Sequence, residues 1–292
     1  MGPASADTLQ RLTERIIAQH PECGRAAALL RVSSADPDAI ERIAQILSPS
    51  DARFGRRMER LRASAFGQRF SDIPDSAAQL GCRPVLAAAV AVTTIEALDG
   101  ETPHLDRYIF WRHAIATGVL AMVAAALDRA HEDEAFAAGF FSSLGRLMLD
   151  RYEGAAFGDA MGAATTLGLP IEEGILQRFD FPESELAAAL AIRWHLPVWV
   201  ADAIAFPVRP AEVGAQAHTL AGLVFRARLV ARARGFGAEG EGLQAPPDGL
   251  RWLVDPLLTA FDRLGGNAWL EATVAGVLAT ALPGDDGSEA SD

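Results

Sequence analysis

Histidine offers the most direct chemistry in this sequence, because imidazole can bind a metal ion or carry a proton near neutral pH. The six histidines are spread along the chain: His20, His104, His113, His131, His195 and His218. No two of them are four residues apart, so no helix face is predicted to hold an H-x-x-x-H metal pair. From the residues alone, we expect His113, two residues after Trp111, to be a buried or capping side chain. His195, directly after Trp194, falls at a predicted helix end and can satisfy carbonyl groups there.

Patterns typical of other chemistry are absent or lack the required context. Gly235–Gly240 spells G-x-G-x-x-G, but a helical segment precedes it and prolines follow it, so we interpret it as a flexible loop. Ser142 and Ser143 have no neighbouring base, and the sequence contains neither G-x-S-x-G nor a P-loop pattern. Cys23 and Cys82 lack zinc-type spacing. We therefore expect no cofactor.

The elements that position these residues are predicted to be helices. Apolar residues recur at spacings of three and four, as in Leu9, Leu12 and Ile16, which is the helical period. Even Val85–Ile95, the segment with the most strand-like content, is diluted with alanine. The sequence predicts an all-α protein of a dozen or more helices. Its most apolar stretch, Ala114–Leu127, is too short to span a bilayer and is predicted to be a buried core helix.

The composition disfavours several classes of partner. Half of the 292 residues are hydrophobic, which is enough for a sizeable core. Acidic residues outnumber basic ones by 38 to 26, giving a formal net charge of −12, so neither nucleic acid nor an anionic membrane is an expected partner. The polar start, Met1–Gln10, lacks the apolar core of a signal peptide, and we expect a soluble cytoplasmic protein. Two basic clusters nevertheless keep a nucleic-acid-binding alternative open: Arg53, Arg56, Arg57 and Arg60, and Arg226, Arg228, Arg232 and Arg234.

Several segments together resemble the HDOD family, whose members are relatives of the HD-domain phosphohydrolases. Phe110–Ala114 resembles the family's W-x-H-S helix start, and Glu134–Leu147 resembles the segment that ends in A-G-L-L-H-D-I-G-x-L. Arg193–Pro197 is similar to R-W-x-L-P. Three weaker similarities complete the set: Asp51–Phe66, Asp72–Gly81 and Asp202–Ile204. The order and spacing of these segments, from about residue 25 to 229, make the resemblance specific.

The chain departs from the active HD pattern at the positions that would hold a metal. The resemblance places the first histidine ligand at His113, but it replaces the His-Asp pair with Ser142 and Ser143. A histidine common before R-W-x-L-P corresponds to Glu183, and the late aspartate corresponds to Arg228. The family's His-His after E-A-I appears as Pro207-Val208. Hydroxyl groups are weak ligands and a guanidinium repels a cation, so the resemblance implies a degenerate site.

The resemblance also divides the chain. We expect an N-terminal helix extension at 1–24, followed by an HDOD-like module at 25–229. The module comprises an N-terminal helical lobe at 25–100 and an HD-like multi-helix array at 101–229. A C-terminal helical extension is expected at 230–282, and the acidic, Gly- and Ser-rich end at 283–292 is predicted to be disordered.

The function that follows from the resemblance is a non-catalytic bacterial signal-transduction module. It would act through signalling proteins bound in trans or through a small ligand. Trp111, Trp194 and His195 are the residues predicted to line a pocket or an interface. The alternative is a metal-dependent phosphohydrolase with a displaced site, whose ligands would be His113, Asp128, His131 and Asp133. Partner identity and oligomeric state stay open.

Overall fold

The structure, a computed structural model, describes residues 3–33, 35–36, 38–47, 83–98, 100–205, 213–238 and 245–281. Within these ranges the chain forms fifteen α-helices and no strand, which confirms the all-α prediction. The resembling segments Asp51–Phe66 and Asp72–Gly81, the first arginine cluster, Pro207-Val208 and the predicted tail lie outside the described residues.

The N-terminal helices carry the first part of the core. They are α1 (Pro3–Gln19), α2 (Gly24–Leu29), α3 (Ala39–Leu47) and α4 (Arg83–Ala97). Helix α1 buries Leu12 and Ile16 at the predicted helical spacing and packs against helices from the second half of the chain. Helix α4 contains the strand-like segment Val85–Ile95, and its small alanines let neighbouring helices cover it on most sides.

The helices that follow build the HD-like lobe and the C-terminal part. They are α5 (Arg107–Asp128), α6 (Ala135–Phe141), α7 (Leu144–Tyr152), α8 (Gly154–Leu167), α9 (Ile171–Phe179), α10 (Glu183–Arg193), α11 (Val198–Ala205), α12 (Val213–Gln216), α13 (Leu220–Ala233), α14 (Arg251–Arg263) and α15 (Gly266–Ala281). A continuous set of buried apolar side chains extends from Leu12 in α1 to Ala281 in α15. The predicted boundaries at residues 24 and 229 therefore do not separate independent hydrophobic cores.

Helix α5 is the central helix of this lobe, and it packs against α6, α13, α14 and α15. It begins where the Asp106 side chain accepts a hydrogen bond from the Ile109 amide, 2.9 Å away. At 22 residues, α5 is longer than the predicted Ala114–Leu127, so the argument that it is too short to span a bilayer was wrong. What identifies it as a core helix is that 83% of its apolar window is buried within the fold.

Helix α10 ends in a turn that places His195 in the left-handed region, with φ at +62°. The His195 amide donates to Ile192 O at 3.0 Å, and the Leu196 amide donates to Ala191 O at 2.9 Å. This is the Schellman arrangement, in which glycine usually occupies the left-handed position. The predicted capping role is thus carried by the main chain of His195, while its side chain is exposed.

We expect His195→Gly to raise the free energy of unfolding by about 0.5–1 kcal/mol, because glycine adopts a positive φ without steric cost. His195→Ala keeps the unfavourable φ and is the matched control. Urea unfolding, followed by circular dichroism, measures both. Equal stability of the two variants would contradict the assignment of strain to this position.

Candidate functional site

Three of the predicted site positions line the same cavity. Ser142 at the end of α6, Glu183 at the start of α10 and Arg228 in α13 all border a space of about 150 Å³. Apolar side chains supply much of the remaining wall, among them Ile204 from α11 and Phe225 from α13. The topology thus brings together residues that are far apart in the sequence, as the resemblance implied.

A buried salt bridge lies at this cavity, between Glu183 and Arg146 of α7. Arg146 Nε is 2.8 Å from Glu183 Oε2, and Arg146 Nη2 is 3.0 Å from Glu183 Oε1. The two side chains are only 2% and 6% exposed, so water does little to screen the pair. The bidentate geometry is the arrangement that guanidinium and carboxylate groups favour.

Glu172 of α9 extends the pair into a network. Its Oε1 atom lies 3.1 Å from Arg146 Nη2, 3.2 Å from Arg228 Nη2 and 3.1 Å from Arg232 Nη2. Three guanidinium groups therefore face two carboxylates, Glu172 and Glu183, and the cluster carries a formal charge of +1. A divalent cation placed here would compete with arginines for both acids.

His113 is held by the loop that follows α13. Its Nδ1 atom lies 2.8 Å from the carbonyl oxygen of Phe236, in the loop after α13, and the side chain is 1% exposed. Arg112 secures the same loop, because its Nη1 donates to Gly235 O at 2.8 Å and its guanidinium stacks over the Phe236 ring. Arg112 also pairs with Glu271 of α15. His113 is not among the residues that line the cavity.

The two serines make local structural contacts. Ser142 Oγ donates to Gly139 O at 2.7 Å, a bond within its own helix turn. Ser143 is 1% exposed, and its hydroxyl has no hydrogen-bond partner in the described part of the chain. Among the described residues, neither serine hydrogen-bonds to a histidine or a carboxylate that would make it a nucleophile.

Comparison with known proteins identifies the fold and the family. The family model of the HDOD domain matches residues 21–210. The chain belongs to the HDOD family. An HDOD domain protein of unknown function from Geobacter sulfurreducens has a similar structure, with a TM-score of 0.68 and 21% identity over 95% of this chain and 99% of that chain. No curated protein matches the sequence.

Two further solved structures share the HDOD fold. A protein from Shewanella amazonensis SB2B, provisionally named a phosphohydrolase, matches with a TM-score of 0.59 and 18% identity over 88% of this chain and 93% of that chain. A protein from Marinobacter aquaeolei VT8, provisionally named a signal transduction protein, matches with a TM-score of 0.63 and 16% identity over 94% and 66% of the two chains. At these identities the likeness concerns the fold.

The residues of this HDOD protein do not fit the divalent metal of an HD hydrolase. Metal binding there needs imidazole and carboxylate donors that converge, and among the described residues no three His, Cys, Asp or Glu side chains do so. The acids of the alternative metal site, Asp128 and Asp133, already have basic partners. Asp128 pairs with Arg226 and lies 2.8 Å from His218 Nδ1, and Asp133 pairs with Arg83 at 2.7 Å.

The predicted pocket aromatics belong to the core. Trp111 is 1% exposed and stacks on Phe140, while Trp194 is 3% exposed and donates its indole N–H to His20 O at 3.0 Å. Neither tryptophan lines the cavity bordered by Ser142, and both belong to the buried apolar core. Their role in a pocket or interface stays a prediction. His195 does stand on the surface.

Every arginine of the second cluster is paired with a nearby acid. Each of its four members has a carboxylate partner: Arg226 pairs with Asp128, Arg228 and Arg232 with Glu172, and Arg234 with Asp262. The helix therefore does not present four unpaired cations on one face.

Arg146 and Glu172 are site residues that the sequence analysis missed. Arg146 stands in the apolar run Leu144–Leu149, which buries one face of α7. A charge within such a run must find a buried partner, and that was the available signal. Nothing local identifies Glu183 as that partner, because 37 residues separate the two.

Proposed function

We propose that this HDOD protein is a non-catalytic regulatory module that acts by binding, with signalling proteins as partners in trans or a small ligand at the cavity bordered by Ser142, Glu183 and Arg228. One observation carries the proposal. Glu183, a position that the resemblance assigns to the HD metal site, is held in a buried salt bridge with Arg146. A fixed guanidinium already neutralises this carboxylate, which makes it a poor ligand for a cation.

The absence of hydrolysis is the first test. We expect the full-length protein, incubated with Mn²⁺ and either bis(p-nitrophenyl) phosphate or a cyclic dinucleotide, to release product no faster than buffer containing Mn²⁺. Elemental analysis after dialysis against Mn²⁺, Fe²⁺ or Zn²⁺ should find less than one equivalent of metal. Without a bound metal, the reaction loses both charge stabilisation and its nucleophile.

The matched variant is His113→Ala, which removes the first ligand position. Reproducible hydrolysis that this variant abolishes would overturn the proposal, and so would a stoichiometric metal lost in the variant. Either result would favour the phosphohydrolase alternative. Turnover that His113→Ala leaves unchanged points to a contaminant and leaves the salt bridge as the interpretation of the site.

A further inference from the structure

A second, larger groove lies away from the cavity, between the N-terminal helix α1 and helices α8 and α9. It has a volume of about 530 Å³, which is within the range of small-molecule sites. Arg11 and Arg15 line it from α1, and Arg178 lines it from α9. We call this the arginine groove. None of its residues lines the cavity that contains Ser142 and Glu183.

The lining of the arginine groove has a formal charge of +2, opposite in sign to that of the protein, and the acids that pair with Arg11 and Arg178, namely Asp7 and Asp159, lie outside the lining. Its lining contains three arginines and one acid, Glu153, whereas the chain carries a formal charge of −12. A cluster of guanidinium groups on an acidic protein attracts anions locally while the remaining surface repels them. A divalent cation or a basic peptide is disfavoured here for the same reason.

The arginines retain donors for a ligand. Arg11 and Asp7 form an i, i+4 pair at 3.3 Å, with side chains 70% and 68% exposed. Arg178 Nε lies 3.9 Å from Asp159. Exposed pairs of this kind contribute little, so a phosphate that accepts two parallel N–H bonds can replace them.

Arg15 is the fixed member of the set. Its Nη2 donates to Tyr152 O at 2.6 Å and to Glu153 Oε1 at 2.7 Å, and its guanidinium stacks over the Tyr152 ring. These contacts hold α1 against the start of α8. A ligand that bridges Arg11 and Arg178 would therefore bind in a groove whose shape is already fixed by the contacts of Arg15.

The remaining lining indicates a ligand with an organic body. Leu12 is buried at the floor, and the half-buried Phe179 stands at the edge beside Arg178. Aromatic rings and guanidinium planes are the surfaces on which nucleobases stack. A volume of about 530 Å³ also exceeds what inorganic phosphate alone would fill. We propose that the arginine groove binds a nucleoside polyphosphate, with its phosphates at Arg11 and Arg178 and its base against Phe179.

The experiment is calorimetric titration of the full-length protein with ATP and, separately, with inorganic pyrophosphate, at low and at physiological salt. We expect ATP to bind more tightly than pyrophosphate and to bind more weakly as salt is raised. Arg11→Gln and Arg178→Gln should each weaken ATP binding about tenfold. Arg251→Gln, an exposed arginine of α14 outside the groove, is the matched control and should bind ATP as the wild type does.

Four outcomes would overturn the proposal. No heat of binding with ATP at millimolar concentration excludes the ligand class. Unchanged affinity in both Arg11→Gln and Arg178→Gln places the ligand elsewhere, and pyrophosphate binding as tight as ATP binding shows that the base is not recognised. A short polyglutamate peptide that binds more tightly than ATP would assign the groove to acidic protein segments. None of these results bears on metal-dependent hydrolysis, so the proposed function is tested independently of the arginine groove.

Discussion

Glu183→Ala is expected to lower the free energy of unfolding by about 3–5 kcal/mol, because it leaves the Arg146 guanidinium buried without its bidentate partner. Arg146 is 2% exposed and cannot recover its hydration unless the helices separate. Glu172, the other acid within reach of Arg146 Nη2, is shared with two more arginines and compensates only in part. Urea unfolding followed by circular dichroism measures the change.

A double variant shows whether Glu183→Ala destabilises the protein by leaving a buried charge unpaired or by removing packing contacts. Arg146→Met combined with Glu183→Leu removes both charges and replaces them with apolar groups, so we expect it to recover most of the stability that Glu183→Ala loses. The matched control is Arg42→Ala, which breaks an exposed pair with Asp36 and should cost less than about 1 kcal/mol. If Glu183→Ala costs no more than Arg42→Ala, the two carboxylate oxygens of Glu183 do not neutralise Arg146.

The same pair also links two helices of the lobe. The buried Arg146–Glu183 salt bridge joins α7 to α10. The double variant removes this polar link and still leaves the surrounding apolar contacts. We therefore expect it to fold, and its helical content provides the check.

Local signals predicted the helices well. The spacing of Leu12 and Ile16 is a signal that acts within a few residues, and the structure has helix α1 there. The length of α5 was underestimated because the apolar stretch alone was used to predict its bounds. The polar and aromatic first turn, Arg107–Arg112, belongs to the same helix, and its N-cap Asp106 was the missed signal.

The site was predictable only where a resemblance supplied the alignment. It placed Ser142, Glu183 and Arg228 together, and the structure puts all three around one cavity. The contacts themselves depend on the tertiary fold: Arg146 meets Glu183 across 37 residues, and His113 meets a main-chain carbonyl 123 residues away. Periodicity in the sequence predicts contacts only between residues a few positions apart. A main-chain carbonyl acceptor cannot be predicted from residue type, because every residue has one.

The second large effect concerns Gly145, which lets α7 approach α10. A Cβ atom added to Gly145 would lie 2.0 Å from Glu183 O and 2.8 Å from Glu183 C, and main-chain atoms cannot move aside as a side chain can. Gly145→Ala must therefore push the two helices apart at the residue that anchors Arg146. We expect it to lower the free energy of unfolding by about 3 kcal/mol, at the upper end for overpacking.

Gly162→Ala in α8 is the matched control, since no described atom from outside its own helix turn lies within 4 Å of the added Cβ. There alanine should raise the free energy of unfolding by up to about 1 kcal/mol, because it is the better helix former. The urea midpoints of the two variants measure both changes in stability. If Gly145→Ala destabilises and Gly162→Ala stabilises the protein, the loss at Gly145 comes from steric contact and not from helix propensity. A neutral or stabilising Gly145→Ala would mean that α7 and α10 do not pack this closely. The Arg146–Glu183 distances would then no longer support the buried salt bridge on which the proposed function depends.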